Sequence, residues 1–189
     1  MSYSIWEGEK IKLRAIESKD ADFFYHWNFD DDVIRRIDEI HFPQSYERVK
    51  EWAEKESKAT PEDGSFKWIA ETKEGKTVGS INTFECNRRV GTFYYGIGVA
   101  RDQWGNGYAQ EMIHLVLRYY FYELNYQKVT VLIYSFNDRS KRLHEKFGFQ
   151  KEGELRNMYL TNGNYYNELF YGMTREEYRD KYGGPADAN

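Results

Sequence analysis

Apolar and polar side chains alternate from Lys10 to Ile16, with Ile11, Leu13 and Ala15 on one side. A period of two is that of a half-buried strand. After Ser18 the period lengthens. Phe23, Phe24 and Trp27 fall on one side of a helix for which Ser18 is the expected cap. A second helix is expected over Ser45 to Lys58, capped by Ser45, with Arg48 within capping reach and Val49 and Trp52 turned inward. Between the two, Asn28 to Gln44 has no period and carries Asp30, Asp31 and Asp32. It reads as a long acidic loop, and long loops in compact domains often carry function.

Lys67 to Thr72 and Lys76 to Phe84 read as strands joined by the turn at Gly75, and Thr92 to Val99 continues the series. Ala109 to Leu124 has the strongest helical period, through Met112, Leu115, Val116, Tyr119 and Leu124. Lys128 to Tyr134 is almost unbroken Val and Ile, as in a strand covered on both faces. Asn137 to Phe147 reads as a helix closed by Gly148. Leu155 to Thr174 reads as two strands around Asn162-Gly163. The order implies an α/β (α+β) fold: a central mixed, mostly antiparallel sheet with helices on both faces. One domain is expected over residues 1–182, with 183–189 as a flexible tail.

Composition narrows the function. Of the 189 residues, 40% are hydrophobic, enough for a packed core. The net charge is −4 with no basic block, which argues against a nucleic-acid binder. A mildly acidic surface suits a cationic acceptor. The first residues lack a secretory pattern, and no apolar run approaches the ~20 residues of a membrane span. A cytoplasmic location is expected. Cys86 is the single cysteine, so no intramolecular disulfide or cysteine-based metal site forms; it reads as a small core residue. No metal is expected.

Two segments carry chemistry. The first, Val99 to Ala109, places Trp104-Gly105-Asn106-Gly107-Tyr108-Ala109 between a strand and the strong helix. Glycines let a backbone approach a ligand, and unpaired amides at a helix start favour a pyrophosphate. No Gly-Lys-Ser/Thr is present, which removes a Walker loop, and Gln110 stands where a dinucleotide fingerprint needs its third glycine. An ordinary glycine turn stays open on the residues alone. The second segment runs from Ser135 to Phe149, with Asn137 as a helix cap and Ser140 on the first turn; an ordinary capped amphipathic helix is its plainer reading.

Taken in order, these motifs resemble the GNAT superfamily of N-acetyltransferases. Trp104 to Ala109 is similar to its pyrophosphate loop, with Trp104 in place of a Gln or Arg. Asn137, Ser140, Leu143, Gly148 and Phe149 match its helix motif, and Ile11, Leu13, Arg14, Ile16, Asp20 and Ala21 its N-terminal pattern. Glu152-Gly153-Glu154-Leu155-Arg156 with Gly163-x-Tyr165 looks like the ribosomal-protein and spermidine N-acetyltransferase branches.

The resemblance implies direct acetyl transfer from acetyl-CoA to a primary amine, either a small amine or a protein N-terminus. A polyamine acetyltransferase and a non-catalytic acyl-CoA sensor are the alternatives. It implies that a backbone amide near Val99 steadies the oxyanion. Amides of Gly105, Asn106, Gly107, Tyr108 and Ala109 would hold the pyrophosphate, and Asn137 and Ser140 the pantetheine arm or adenine end. His144 stands where many members carry a Tyr that protonates the thiolate, so it is either the expected acid or a helix-surface histidine with no role; Glu85, near the end of a central strand, is the expected base or water-holding group. Asp30, Asp31, Asp32 and Glu39 form either an acidic acceptor pocket or a solvated surface. A homodimer or larger homo-oligomer is expected from the related branches.

Overall fold

The computed structural model describes residues 4–61 and 63–184. In chain order the elements are β1 (Ile11–Ala15), α1 (Ala21–Trp27), α2 (Asp31–Ile37), α3 (Tyr46–Glu56), β2 (Lys67–Thr72), β3 (Thr77–Asn87), β4 (Thr92–Val99), α4 (Tyr108–Arg118), β5 (Lys128–Tyr134), α5 (Asp138–Phe147), β6 (Gln150–Thr161), β7 (Asn164–Thr174) and α6 (Arg175–Tyr182). Hydrogen-bonded neighbours run β1-β2-β3-β4-β5-β7-β6 in one seven-stranded sheet. The β1–β2, β2–β3, β5–β7 and β6–β7 pairs are antiparallel and β4–β5 is parallel. The mixed, mostly antiparallel α/β architecture is therefore the observed one.

The chain packs as two compact units. The first runs through Asn82 and takes up Ile97–Leu115; the second holds Thr83–Gly96 and the chain from Val116 onward. In the first unit, β1 pairs with β2 from Ile11↔Thr72 to Ala15↔Trp68. Ile16, Ala21, Ala53 and Ile69 form a buried cluster with Phe23, Phe24 and Trp52 against it. Arg14 ties this layer together. It makes a forked contact with Asp20 (2.8 Å to each oxygen) and donates to Glu71 (2.6 Å).

In the second unit β5 pairs with β7 along its whole length, Lys128↔Thr174 to Tyr134↔Glu168. Phe93 is fully buried and stacks on Tyr120 at 4.3 Å. Burying one such ring contributes about 1.5–3 kcal/mol. Among the described residues no helix is long and apolar enough to cross a membrane.

Several boundaries differ from the periodic pattern. Glu17, not Ser18, precedes the first helical segment: a single 3-10 turn, Ser18–Asp20, is closed by a reciprocal box between Glu17 and Asp20. The acidic loop contains α2, a seven-residue helix that buries Val33 and pairs its charges locally. Asp30 accepts from Val33 N at its start, and Asp32–Arg36 (3.1 Å) and Asp31–Arg35 (3.8 Å) are four-residue pairs. The helix ending at Arg118 continues as one π turn, Tyr119–Glu123. Strand β6 starts at Gln150 rather than Leu155; most of it is exposed, so no alternation marks it. Helix α6 buries only Tyr178 and is set by a Thr174/Glu177 capping box. Gly183 ends α6, and residues 185–189 of the expected tail lie outside the described residues.

Candidate active site

The first unit holds the glycine loop. After Val99 the chain makes one 3-10 turn, Arg101–Gln103, and then passes through Trp104–Gly107 into α4. The Trp104 indole N–H turns back to donate to Val99 O at 2.8 Å. The Asn106 amide donates to Gln103 O at 3.1 Å, so both side chains brace the bend from within. Gly105 and Gly107 adopt φ of +90° and +83°, where a side chain is strained. A Cβ on Gly105 would meet nothing within 4 Å. Gly105, Asn106 and Gly107 are exposed. Glu111 N donates to Gly107 O (3.2 Å), so the amides of Tyr108, Ala109 and Gln110 have no helical carbonyl one turn back. An open, main-chain-lined bend with orphan amides is what an anion requires.

The same unit answers the question posed by the acidic run. The Arg101 guanidinium, two residues past Val99, forks onto Asp30, with Nε donating at 2.9 Å and Nη2 to the other oxygen. Asp32 lies 3.5 Å from Arg101. Arg101 hydrogen bonds hold the Asp30 carboxyl below the usual range. The Asp30–Asp32 carboxylates are thus spent on Arg101, Arg35 and Arg36 and on capping α2. Asp30 is partly covered, whereas Asp31 and Asp32 lie at a solvated surface. Glu39 is exposed.

The second unit holds Glu85, Asn137, Ser140 and His144. Asn137 caps α5, its side-chain oxygen accepting from Ser140 N at 3.2 Å. His144 is fully buried. Its Nδ1 lies 2.7 Å from Ser140 O, which only accepts, so Nδ1 carries the proton. The Ser140 hydroxyl is 3.3 Å from the same nitrogen. Nε2 then accepts from the Tyr95 hydroxyl at 2.6 Å. Burial pushes the imidazole down to about 4 and the Tyr95 phenol well above its ordinary value. At neutral pH the ring is uncharged and its Nε2 has no proton to give.

Tyr95 occupies a telling place. Parallel pairing of β4 with β5 covers Thr92↔Lys128, Phe93↔Val129 and Tyr94↔Thr130, and Tyr95 is the next residue. The His144–Tyr95 bond therefore fixes β4 to α5 where β4 parts from β5. Glu85 is exposed and has φ of +48°, a left-handed conformation that non-glycine residues seldom adopt. Its neighbour Phe84 stacks on Tyr94 at 5.8 Å, level with the last paired rung.

Val99 and Trp104–Ala109 thus come together in one unit, and Glu85, Asn137, Ser140 and His144 belong to the other. Tyr95, Arg101 and Lys10, whose ammonium reaches Asn106 O, were not legible as site residues. Only the Phe93/Tyr95 alternation hinted that Tyr95 points inward. Among the described residues no group of three or more His, Cys, Asp or Glu is placed to hold a metal.

A strand running into a glycine bend that opens a helix points to a class. The chain belongs to the GNAT acetyltransferase family: the acetyltransferase (GNAT) domain model matches residues 10–150. It is an N-acetyltransferase, and acetyl-CoA is its cosubstrate. It is 44% identical over 183 residues to the SPbeta prophage-derived uncharacterized N-acetyltransferase YokL of Bacillus subtilis (strain 168), covering 97% of this chain and 100% of that one. It is 24% identical over 168 residues to the spermidine N(1)-acetyltransferase of Escherichia coli (strain K12), covering 89% and 88%. In fold it is similar to the spermidine N-acetyltransferase of Vibrio cholerae solved with CoA and spermine. That match has a TM-score of 0.78 at 23% identity and covers 89% of this chain and 97% of that chain.

Proposed function

We propose that the protein acetylates the primary amine of a small aliphatic cation, polyamines among them, by direct transfer from acetyl-CoA. The observation that carries this is the exposed bend at Gly105–Gly107, with two positive-φ glycines and the orphan amides of α4 behind it. The related spermidine acetyltransferases and the net charge of −4 support a cationic acceptor.

When bound, acetyl-CoA supplies the activated acyl carbon. The chain's residues do the rest. Amides of Gly105–Ala109 would hold the diphosphate, and an amide near Val99 would steady negative charge on the thioester carbonyl oxygen. Asn137 and Ser140 would contact the pantetheine arm or the adenine end. Glu85 takes the proton that the amine must lose before attack; strained left-handed residues gather at functional sites. His144 positions Tyr95 instead of acting as the acid, because its resting ring holds no proton at Nε2, and the departing thiolate would take the proton that the acylated nitrogen releases, by way of solvent.

The experiment is thiol release from acetyl-CoA over an acceptor panel: spermidine, spermine, monoamines and peptides with free N-termini. Saturable release with polyamines and none with peptides is expected, and Glu85→Gln should lower it at least about tenfold at neutral pH. Release with peptides alone would move the acceptor to a protein N-terminus. Binding of acetyl-CoA without release on any amine would make the protein a sensor. Full turnover in Glu85→Gln would remove Glu85 as the base.

A further inference from the structure

We propose that Lys10 is the cation of the cofactor site, its ammonium paired with the diphosphate held at Gly105–Ala109. The proposal rests on that loop's reading as the diphosphate cradle and goes beyond it, because Lys10 lies 96 residues away along the chain.

Its ammonium donates to Asn106 O at 2.9 Å, so it stands on the bend itself. A Cβ built on Gly107 would come within 3.2 Å of Lys10 Nζ, which places the charge beside the Gly107 main chain. One of three N–H donors goes to Asn106 O; two remain for a ligand. Lys10 is exposed, so the charge is accessible.

The stem is anchored at its base. The amides of Lys10 and Ile11 both donate to Glu111 Oε1, at 2.8 and 3.2 Å, across to the first turn of α4. Glu111 thus holds the main chain at Lys10 against the start of α4.

The loop has no other cation of its own. Residues 102–110 contain no Lys or Arg, and Asp102 is bound by Lys76 at 3.1 Å. Arg101 is committed to Asp30 and Asp32. Main-chain dipoles alone would face a dianion, and one ammonium at hydrogen-bond range is the complement such a group favours.

The test is equilibrium binding by calorimetry, with acetyl-CoA and with S-acetylpantetheine, which has the same thioester arm but no diphosphate. Lys10→Met should weaken acetyl-CoA about tenfold to a hundredfold and flatten the salt dependence. It should leave S-acetylpantetheine unchanged, and Lys10→Arg should restore most of the acetyl-CoA affinity. Unchanged acetyl-CoA affinity in Lys10→Met would overturn the proposal, as would an equal loss for both ligands; a loss for acetyl-CoA alone with an unaltered salt dependence would mean that Lys10 only shapes the bend and would overturn it too. Gly107→Val separates the two levels. With that variant unable to bind acetyl-CoA, any failure above belongs to Lys10 alone; with its affinity intact, the loop reading falls and takes Lys10 with it.

Discussion

His144 carries the sharpest residue-level consequence. Its pKa falls from an ordinary 6.5 to about 4 because burial disfavours the charged ring. A lowered pKa means that the unfolded chain binds a proton the folded one refuses. The stability tied to the neutral ring is complete above pH ~6.5 and is lost as pH falls toward 4, by at most about 3 kcal/mol. His144→Gln should therefore flatten the decline in melting temperature between pH 6.5 and 4 relative to the parent protein. Parallel declines in the two would show that the ring titrates normally. The motif placed His144 on α5, but its partner Tyr95 sits on another element. Burial of both, and hence the neutral state, followed from that meeting rather than from any local pattern.

At the scale of elements, α2 is the instructive case. Its charges sit at positions 30, 31, 32, 35 and 36, which satisfy one another within the helix. A sequence scan for apolar period passes over such a segment, because seven residues with one buried side chain, Val33, are too few to show a period. Asp30 both caps α2 and receives Arg101, joining the former loop to the strand end before the glycine bend. Asp30→Ala should cost about 1–2 kcal/mol, most of it from the cap, since the ion pair is solvent-screened. Chemical denaturation measures this directly; a loss below ~0.3 kcal/mol would mean that neither contact matters. The strands and α4 were legible because each buries a regular face. The first residues of strand β6, before Leu155, and helix α6 were not, because the former are largely exposed and the latter buries a single tyrosine.

For the molecule as a whole, the family and the cosubstrate predict ligand linkage. Acetyl-CoA at about 100 times its dissociation constant should stabilise the protein by ~2.7 kcal/mol, read as a rise in melting temperature. ATP at the same concentration should give a clearly smaller rise. Equal stabilisation by both would mean that the site reads only the nucleotide and phosphates.

The order of strands and helices, the glycine bend before α4 and the cap of α5 were written in the chain, because each depends on neighbours within a few residues. So was the family, through the spacing of its motifs. Which charges and hydroxyls meet was decided only by folding. Lys10 reaches Asn106, Asp30 reaches Arg101 and Tyr95 reaches His144 across 96, 71 and 49 residues. Such pairings arise when packed elements bring distant side chains into one low-dielectric or sterically fixed place, and no local pattern of residues encodes that encounter.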